Sequence, residues 1–147
     1  MRGRVLIVDD DKGMCDVLEA GLKHRDFATV ARLSAEDALA ILGAEDFDAV
    51  VTDLNMKSMN GLELCQRITA NRPNVPVVVI TAFASLDAAV ATIRAGASRV
   101  QLYTSFAYLG PALIPRLKAE LATSLRATGF ARIEDAVGTG AQELLER

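Results

Sequence analysis

Five short apolar runs, each followed by a segment of helical periodicity, constrain the fold of this 147-residue chain more than any other feature. The runs are residues 4–8, 27–32, 49–53, 77–81 and 99–103. Between them, apolar residues recur at the three- and four-residue spacing of a helix with one buried side. Strands that alternate with helices form a parallel sheet with helices on both faces, because parallel strands need long crossover connections. We therefore predict a single α/β domain.

The helix boundaries are marked by capping residues. The predicted helices cover residues 12–23, 34–42, 61–70, 85–95 and 111–127. Ser34, with Asp37 three residues on, is typical of a helix start, and Ser85 is a second predicted N-cap. Gly43 is predicted to be a C-cap. For the residues after Ala131 two alternatives stay open, a short helix that packs back or a frayed tail.

Composition and charge exclude several classes of function. About half the residues are apolar and the formal net charge is −3, so neither bulk charge nor a basic run favours nucleic-acid binding. The longest apolar stretch is far too short to span a bilayer, and no signal peptide precedes the first strand. Cys15 and Cys65 match no metal-ligand spacing and are expected to be reduced, partly buried thiols. We expect a cytoplasmic protein that binds neither nucleic acid nor membrane.

Polar side chains follow three of the predicted strands at the point where each strand ends. Asp9 and Asp10 end the first strand, Asp53 the third and Thr81 the fourth. Carboxyl ends of parallel strands share one edge of a sheet, where ligands bind. Carboxylates gathered there repel one another, and Mg²⁺ relieves the repulsion. One neutralised carboxylate could then attack a phosphoryl donor, with the Thr81 hydroxyl bonding the transferred group, whereas Asp11 is expected only to cap the first helix.

Three segments resemble the receiver domain of bacterial two-component response regulators. They are "VLIVDDD", "VVTDLNM…MNGLEL" and "VVVITAFASLDAAV", and the resemblance covers about residues 3–96. It implies a flavodoxin-like, doubly wound, five-stranded parallel sheet of order 2-1-3-4-5 with helices on both faces. It also implies Asp53 as the phosphoacceptor, Thr81 as the phosphoryl contact and a sensor histidine kinase as partner. The Mg²⁺ ligands that it implies are Asp9, Asp10, Asp53 and the backbone carbonyl of Asn55.

The loop after the third strand and the whole fifth strand depart from the receiver pattern. Lys57-Ser58 stands where receivers usually have Pro-Gly, and Asn60 replaces a common aspartate. The fifth strand, "SRVQLYTSF", has Thr104 or Ser105 where receivers carry a lysine. The missing lysine predicts impaired phosphorelay signalling.

The end of the chain resembles another family. The segment "IRAGASRVQLYTSFAYLGPALIPRLKAEL…GFARIEDAVG", from about Ile93 to Gly138, is similar to the C-terminal end of quinone-dependent dihydroorotate dehydrogenase. In that family it is the last strand and helix of a flavin-binding barrel. The resemblance implies a residual phosphate site for FMN at the backbone of Tyr103, Thr104 and Ser105. Because one strand–helix unit lacks the rest of the active site, neither FMN as a cofactor nor dehydrogenase activity is expected.

Together the two resemblances predict one chimeric domain over residues 1–147. Residues 1–94 would be the receiver-derived half, residues 95–138 the barrel-derived strand, helix and tail, and residues 139–147 a frayed end. Our main interpretation is a receiver-like phosphoacceptor module with an Mg²⁺-binding acidic pocket. The alternative is an engineered fold-recombination product without an evolved function, with at most residual binding of phosphate or of the FMN phosphate. The sequence leaves the oligomeric state, the partner kinase and the regulated output open.

Overall fold

The computed structural model describes residues 2–81, 86–102 and 113–140, in which strands and helices alternate as predicted. The strands are β1 (Gly3–Val8), β2 (Phe27–Arg32), β3 (Ala49–Asp53), β4 (Val77–Thr81) and β5 (Arg99–Leu102). The helices are α1 (Lys12–Lys23), α2 (Ala35–Ala44), α3 (Gly61–Asn71), α4 (Leu86–Arg94), α5 (Leu113–Ala127) and α6 (Ile133–Ala136).

All five strands are parallel and lie in the order β2-β1-β3-β4-β5. This confirms the predicted flavodoxin-like order and places the reversal of strand order beside β1. Because side chains alternate along a strand, the central strands feed two apolar clusters. One cluster includes Leu6, Val8 and Val50 together with α2 and α3, and the other includes Val5 and Ile7 under α1.

Two helix starts follow the predicted capping chemistry, and the third predicted N-cap, Ser85, lies outside the described residues. Asp11 is the N-cap of α1, and its carboxylate accepts hydrogen bonds from the Gly13 and Met14 amides. Ser34 caps α2, and its hydroxyl oxygen accepts from the Asp37 amide at 3.1 Å. The predicted C-cap at Gly43 is wrong. The helix runs through Gly43 to Ala44, and the Glu45 amide still donates to the Ile41 carbonyl.

The residues after α5 pack back onto the domain. Ala136 in α6 is fully buried, and the Gly138 amide donates to the Ile93 carbonyl at 3.2 Å. The Thr139 hydroxyl accepts a hydrogen bond from Arg94 Nε. Of the two alternatives for the tail, the structure therefore has the short packed helix, as far as Gly140. Within the described ranges, no helix is long and apolar enough to cross a bilayer.

Candidate functional site

The carboxyl end of β1 carries the most buried carboxylate of the predicted site. Asp9 is only 8% exposed, and its Oδ1 accepts a hydrogen bond from the Asp11 amide at 2.8 Å. Burial is the main cause of a raised pKa for Asp9, and the charges of Asp53, Asp10 and Asp11 raise it further. The Asp11 amide acts in the opposite direction. Asp9 therefore lies in an acidic environment, as expected where carboxylates share one sheet edge.

Asp53 lies beside Asp9 at the end of the neighbouring strand. Val8 of β1 pairs with Thr52 of β3, and each of these two residues is followed by an aspartate, Asp9 and Asp53. Asp53 is half-buried, and its Oδ2 accepts a hydrogen bond from the Asn55 amide at 3.0 Å. This hydrogen bond between residues two apart holds the Asp53 carboxylate at the start of the loop that follows β3.

The loop 54–60 closes tightly over Asp53. The Gly61 amide donates to the Leu54 carbonyl at 2.9 Å, and a Cβ atom on Gly61 would lie 2.0 Å from the Asp53 carbonyl oxygen. Only glycine fits there. Asn60 caps α3 through its side-chain oxygen, which accepts from the Glu63 amide at 2.9 Å. The side chain of Asn60 thus supplies the cap that an aspartate would supply.

Thr81 ends β4 at the same edge of the sheet. Asp53 pairs with Ile80, so Thr81 comes one residue beyond the phosphoacceptor candidate on the adjacent strand, and it is 1% exposed. Its pairing partner in β5 is Leu102. The structure therefore brings Asp9, Asp53 and Thr81 to one edge, with half-buried Asp10 directly after Asp9.

The donor atoms at this edge suit one kind of metal ion better than others. Among the described residues, no group of three or more histidine, cysteine, aspartate or glutamate side chains converges closely enough to hold a metal ion alone. Mg²⁺ is usually bound by only one or two carboxylates, with water and phosphate oxygens completing the shell. The hard oxygen donors of Asp9, Asp10 and Asp53 suit that mode of binding. The full ligand set, including the Asn55 carbonyl, stays a prediction.

The second predicted site, Tyr103, Thr104 and Ser105, lies outside the described residues. Two contacts near the acidic edge were missed from the sequence. The Cys15 thiol donates to the Asp9 carbonyl at 3.5 Å, and burial is the main cause that raises its pKa to about 11. The Ser58 hydroxyl donates to Glu36 Oε2 at 3.0 Å. Helical spacing could have placed Cys15 on the buried side of α1, whereas no pattern signals a bond between residues 22 apart.

Comparison with known proteins gives two different likenesses. The family model described as "Response regulator receiver domain" matches residues 5–101. The transcriptional regulatory protein ZraR of Salmonella typhimurium is 36% identical over 99 residues, which are 66% of this chain and 22% of ZraR. The quinone-type dihydroorotate dehydrogenase of Azorhizobium caulinodans is 52% identical over 67 residues, 46% of this chain and 19% of that enzyme.

The fold is also shared with solved structures. The response regulator protein TrrA of Thermotoga maritima, solved with Mg²⁺ and BeF, has a TM-score of 0.63 and 22% identity. The match covers 78% of this chain and 97% of TrrA. By contrast, this chain spans only about a fifth of the length of the two curated relatives, 22% and 19%.

The two likenesses overlap along the chain. Only 46 residues follow residue 101, so a 67-residue match includes at least 21 residues that the receiver family model also matches. The overlapping part is therefore similar both to the receiver family and to the enzyme.

Proposed function

The chain belongs to the response regulator receiver family, and from that premise we propose that it is a phosphoacceptor module whose reactive group is the Asp53 carboxylate. Asp53 would attack the phosphorus atom of a phosphohistidine or a small phosphoryl donor. The bond from phosphorus to the donor's leaving atom breaks, and that atom keeps the electron pair. The product is an acyl phosphate on Asp53.

The placement of Asp53 is the observation that carries this proposal. The Asn55 amide donates a hydrogen bond to one carboxylate oxygen of Asp53, and the backbone carbonyl of Asp53 lies against Gly61. Asp9 lies beside Asp53, directly after the end of the neighbouring strand β1. A half-buried aspartate held in this way has few conformations to lose when it reacts. Capping of a helix does not explain it, because Asn60 caps α3.

Asp9, Asp10, Asp53 and the Asn55 carbonyl are the proposed ligands of Mg²⁺. Bound Mg²⁺ would neutralise charge on the carboxylates and on the phosphoryl oxygens. The raised pKa of Asp9 supports a cation site, because a nearby cation would offset both its burial and the repulsion from Asp53. The Mg²⁺ and BeF of TrrA add support from a protein of the same fold.

The absent lysine weakens the proposed module. A hydrogen bond to a charged group is worth about 1.5–3 kcal/mol, and the phosphoryl group would lose such a contact from the end of β5. We therefore expect Mg²⁺ binding to persist, whereas phosphorylation is slow or weakly coupled to conformational change. Thr81 remains as the neutral phosphoryl contact.

Intact-mass spectrometry tests the phosphoacceptor. The protein is incubated with acetyl phosphate, with and without Mg²⁺, and a gain of one phosphoryl group is expected only with Mg²⁺. Asp53→Asn should abolish it, and Asp37→Asn serves as a control for an exposed aspartate. An unchanged mass of the unmodified protein, or labelling that survives in Asp53→Asn, refutes the proposal.

The proposed phosphodonor partner is a sensor histidine kinase, since such kinases phosphorylate receiver domains. A cytoplasmic setting without nucleic-acid or membrane binding belongs to the same proposal. Dihydroorotate dehydrogenase activity and FMN as a cofactor are not expected, because the chain spans only 19% of that relative. Adding FMN or phosphate while following backbone NMR signals checks this. Shifts in the signals of Leu102 that phosphate alone also produces would indicate only the residual phosphate site, whereas saturable shifts that only FMN produces would contradict the expectation.

A second candidate is a fold-recombination product without an evolved function. The observation that favours it is the 52% identity to a barrel enzyme inside a chain whose family model is a receiver. Parallel strand–helix units of both folds are right-handed, so one can replace the other. This candidate predicts cooperative unfolding whose midpoint does not respond to Mg²⁺, whereas the phosphoacceptor predicts stabilisation by Mg²⁺.

A further inference from the structure

Two buried methionines anchor the loop 54–60, which follows the proposed phosphoacceptor, to the apolar core. Met56 and Met59 are 8% and 9% exposed and belong to the larger apolar cluster. Lys57 and Ser58 lie between them and are exposed, so they form the crest of the loop. Receivers usually carry Pro-Gly there, and without the proline ring the crest has more backbone freedom to lose.

Ser58 connects this crest to a different element. Its hydroxyl donates a hydrogen bond to Glu36 Oε2 at 3.0 Å, and Glu36 lies in the first turn of α2. Ser34 caps that turn, so the acceptor is carried by a well-formed helix start. A hydrogen bond to a carboxylate is stronger than one between neutral groups.

We propose that Ser58 is a positioning residue for the acidic pocket. Its bond to Glu36 holds the crest, and with it the Asn55 backbone, in the arrangement that binds Mg²⁺. The inference rests on the proposed function, because the Asn55 carbonyl is a proposed ligand. Asn55 is three residues from Ser58 and its amide donates to Asp53, so loss of the bond at Ser58 would free the peptide units between these two bonds, including the one that carries the Asn55 carbonyl.

The test is a double-mutant cycle on Mg²⁺ affinity, read from the NMR shift of the Asn55 amide. Ser58→Ala should weaken Mg²⁺ binding about two- to tenfold, the range of one net hydrogen bond. Glu36→Ala should weaken it to the same extent, and the double variant should lose no more than either single variant. Ser58→Thr keeps the hydroxyl and should restore the affinity.

Asp37→Ala is the matched control, because it removes the same charge from the same helical turn without touching the bond to Ser58. Its Mg²⁺ affinity should equal that of the unmodified protein. The inference is overturned if Ser58→Ala binds Mg²⁺ normally, if the two losses add, or if Asp37→Ala weakens binding equally. If Ser58→Ala does not fold, Glu36→Ala, which removes the acceptor, decides in its place. If the unmodified protein does not bind Mg²⁺, the proposed function is overturned together with this inference. If it binds Mg²⁺ and only the variants behave otherwise than expected, the inference alone is overturned.

Discussion

Replacing Gly61 by alanine should damage this domain far more than a helical glycine-to-alanine change normally does. The new Cβ would lie 2.0 Å from the Asp53 carbonyl oxygen and 2.9 Å from both the Asp53 carbonyl carbon and Leu54 Cα. These are backbone atoms, so no rotamer change relieves the clash. The start of α3 or the end of β3 must move apart by about 1 Å, and overpacking of this kind costs about 1–3 kcal/mol.

A matched control exists in α1. Gly21 has no atom within 4 Å of an added Cβ, so Gly21→Ala should gain about 0.5–1 kcal/mol from helix propensity. Urea unfolding followed by circular dichroism measures both variants. Gly61→Ala should lower the free energy of unfolding while Gly21→Ala raises it, and labelling of Asp53 by acetyl phosphate should slow only in Gly61→Ala. Equal stability of Gly61→Ala and the unmodified protein would refute the close approach of Gly61 to Asp53.

Three further predictions concern ionisation and backbone strain. The raised pKa of Asp9 means that its ionisation opposes folding, so its stabilising contribution is full below the ordinary aspartate pKa of 3.8 and is lost as pH rises through the folded value. Asp9→Asn should therefore stabilise the metal-free protein at pH 7, with the gain shrinking towards pH 3.8 in urea titrations; a pH-independent difference would contradict this. Burial is the main cause that raises the thiol pKa to about 11 in Cys15 and about 12 in Cys65, so both should react with a thiol reagent at pH 8 only after unfolding; fast labelling of the folded protein would be the contrary result. Gly96 has a φ of +101°, and an added Cβ would lie only 2.3 Å from Thr69 Oγ1. Gly96→Ala should therefore lower the melting temperature, by about 2–4 °C for each kcal/mol of stability lost, and an unchanged melting curve would refute the strain.

The sheet was predictable because each strand combines an apolar run with a clear stop. Strands β2, β3 and β4 begin and end at the predicted residues, and the aspartates after β1 and in β3 lie at one edge as expected. Periodicity and the polar residues at strand ends are both local signals. Because the carboxyl ends of parallel strands lie at one edge of the sheet, these local signals suffice to place the polar residues together.

Other features depended on contacts that local patterns do not carry. Gly43 was predicted to end α2, but glycine ends a helix only where a left-handed residue is needed, and here the helix continues to Ala44. The bond from Ser58 to Glu36 joins residues on separate elements, so no spacing rule points to it. The sequence left the conformation of the residues after Ala131 open, because their packing depends on a hydrogen bond to the Ile93 carbonyl near the C-terminal end of α4.

The position of β5 explains how a receiver could keep its acidic pocket while its last strand resembles another family. Every proposed Mg²⁺ ligand lies at the carboxyl end of β1 or β3 or within two residues of it, and Thr81 lies on β4. Among the described strands, β5 is at the edge of the sheet and pairs with β4 alone. An exchange confined to β5 would therefore change one strand interface and none of the proposed carboxylate ligands. The proposed Mg²⁺ binding and switching on phosphorylation would then be separable, and titrating the unmodified protein with Mg²⁺ in the absence of a phosphoryl donor would measure the first without the second.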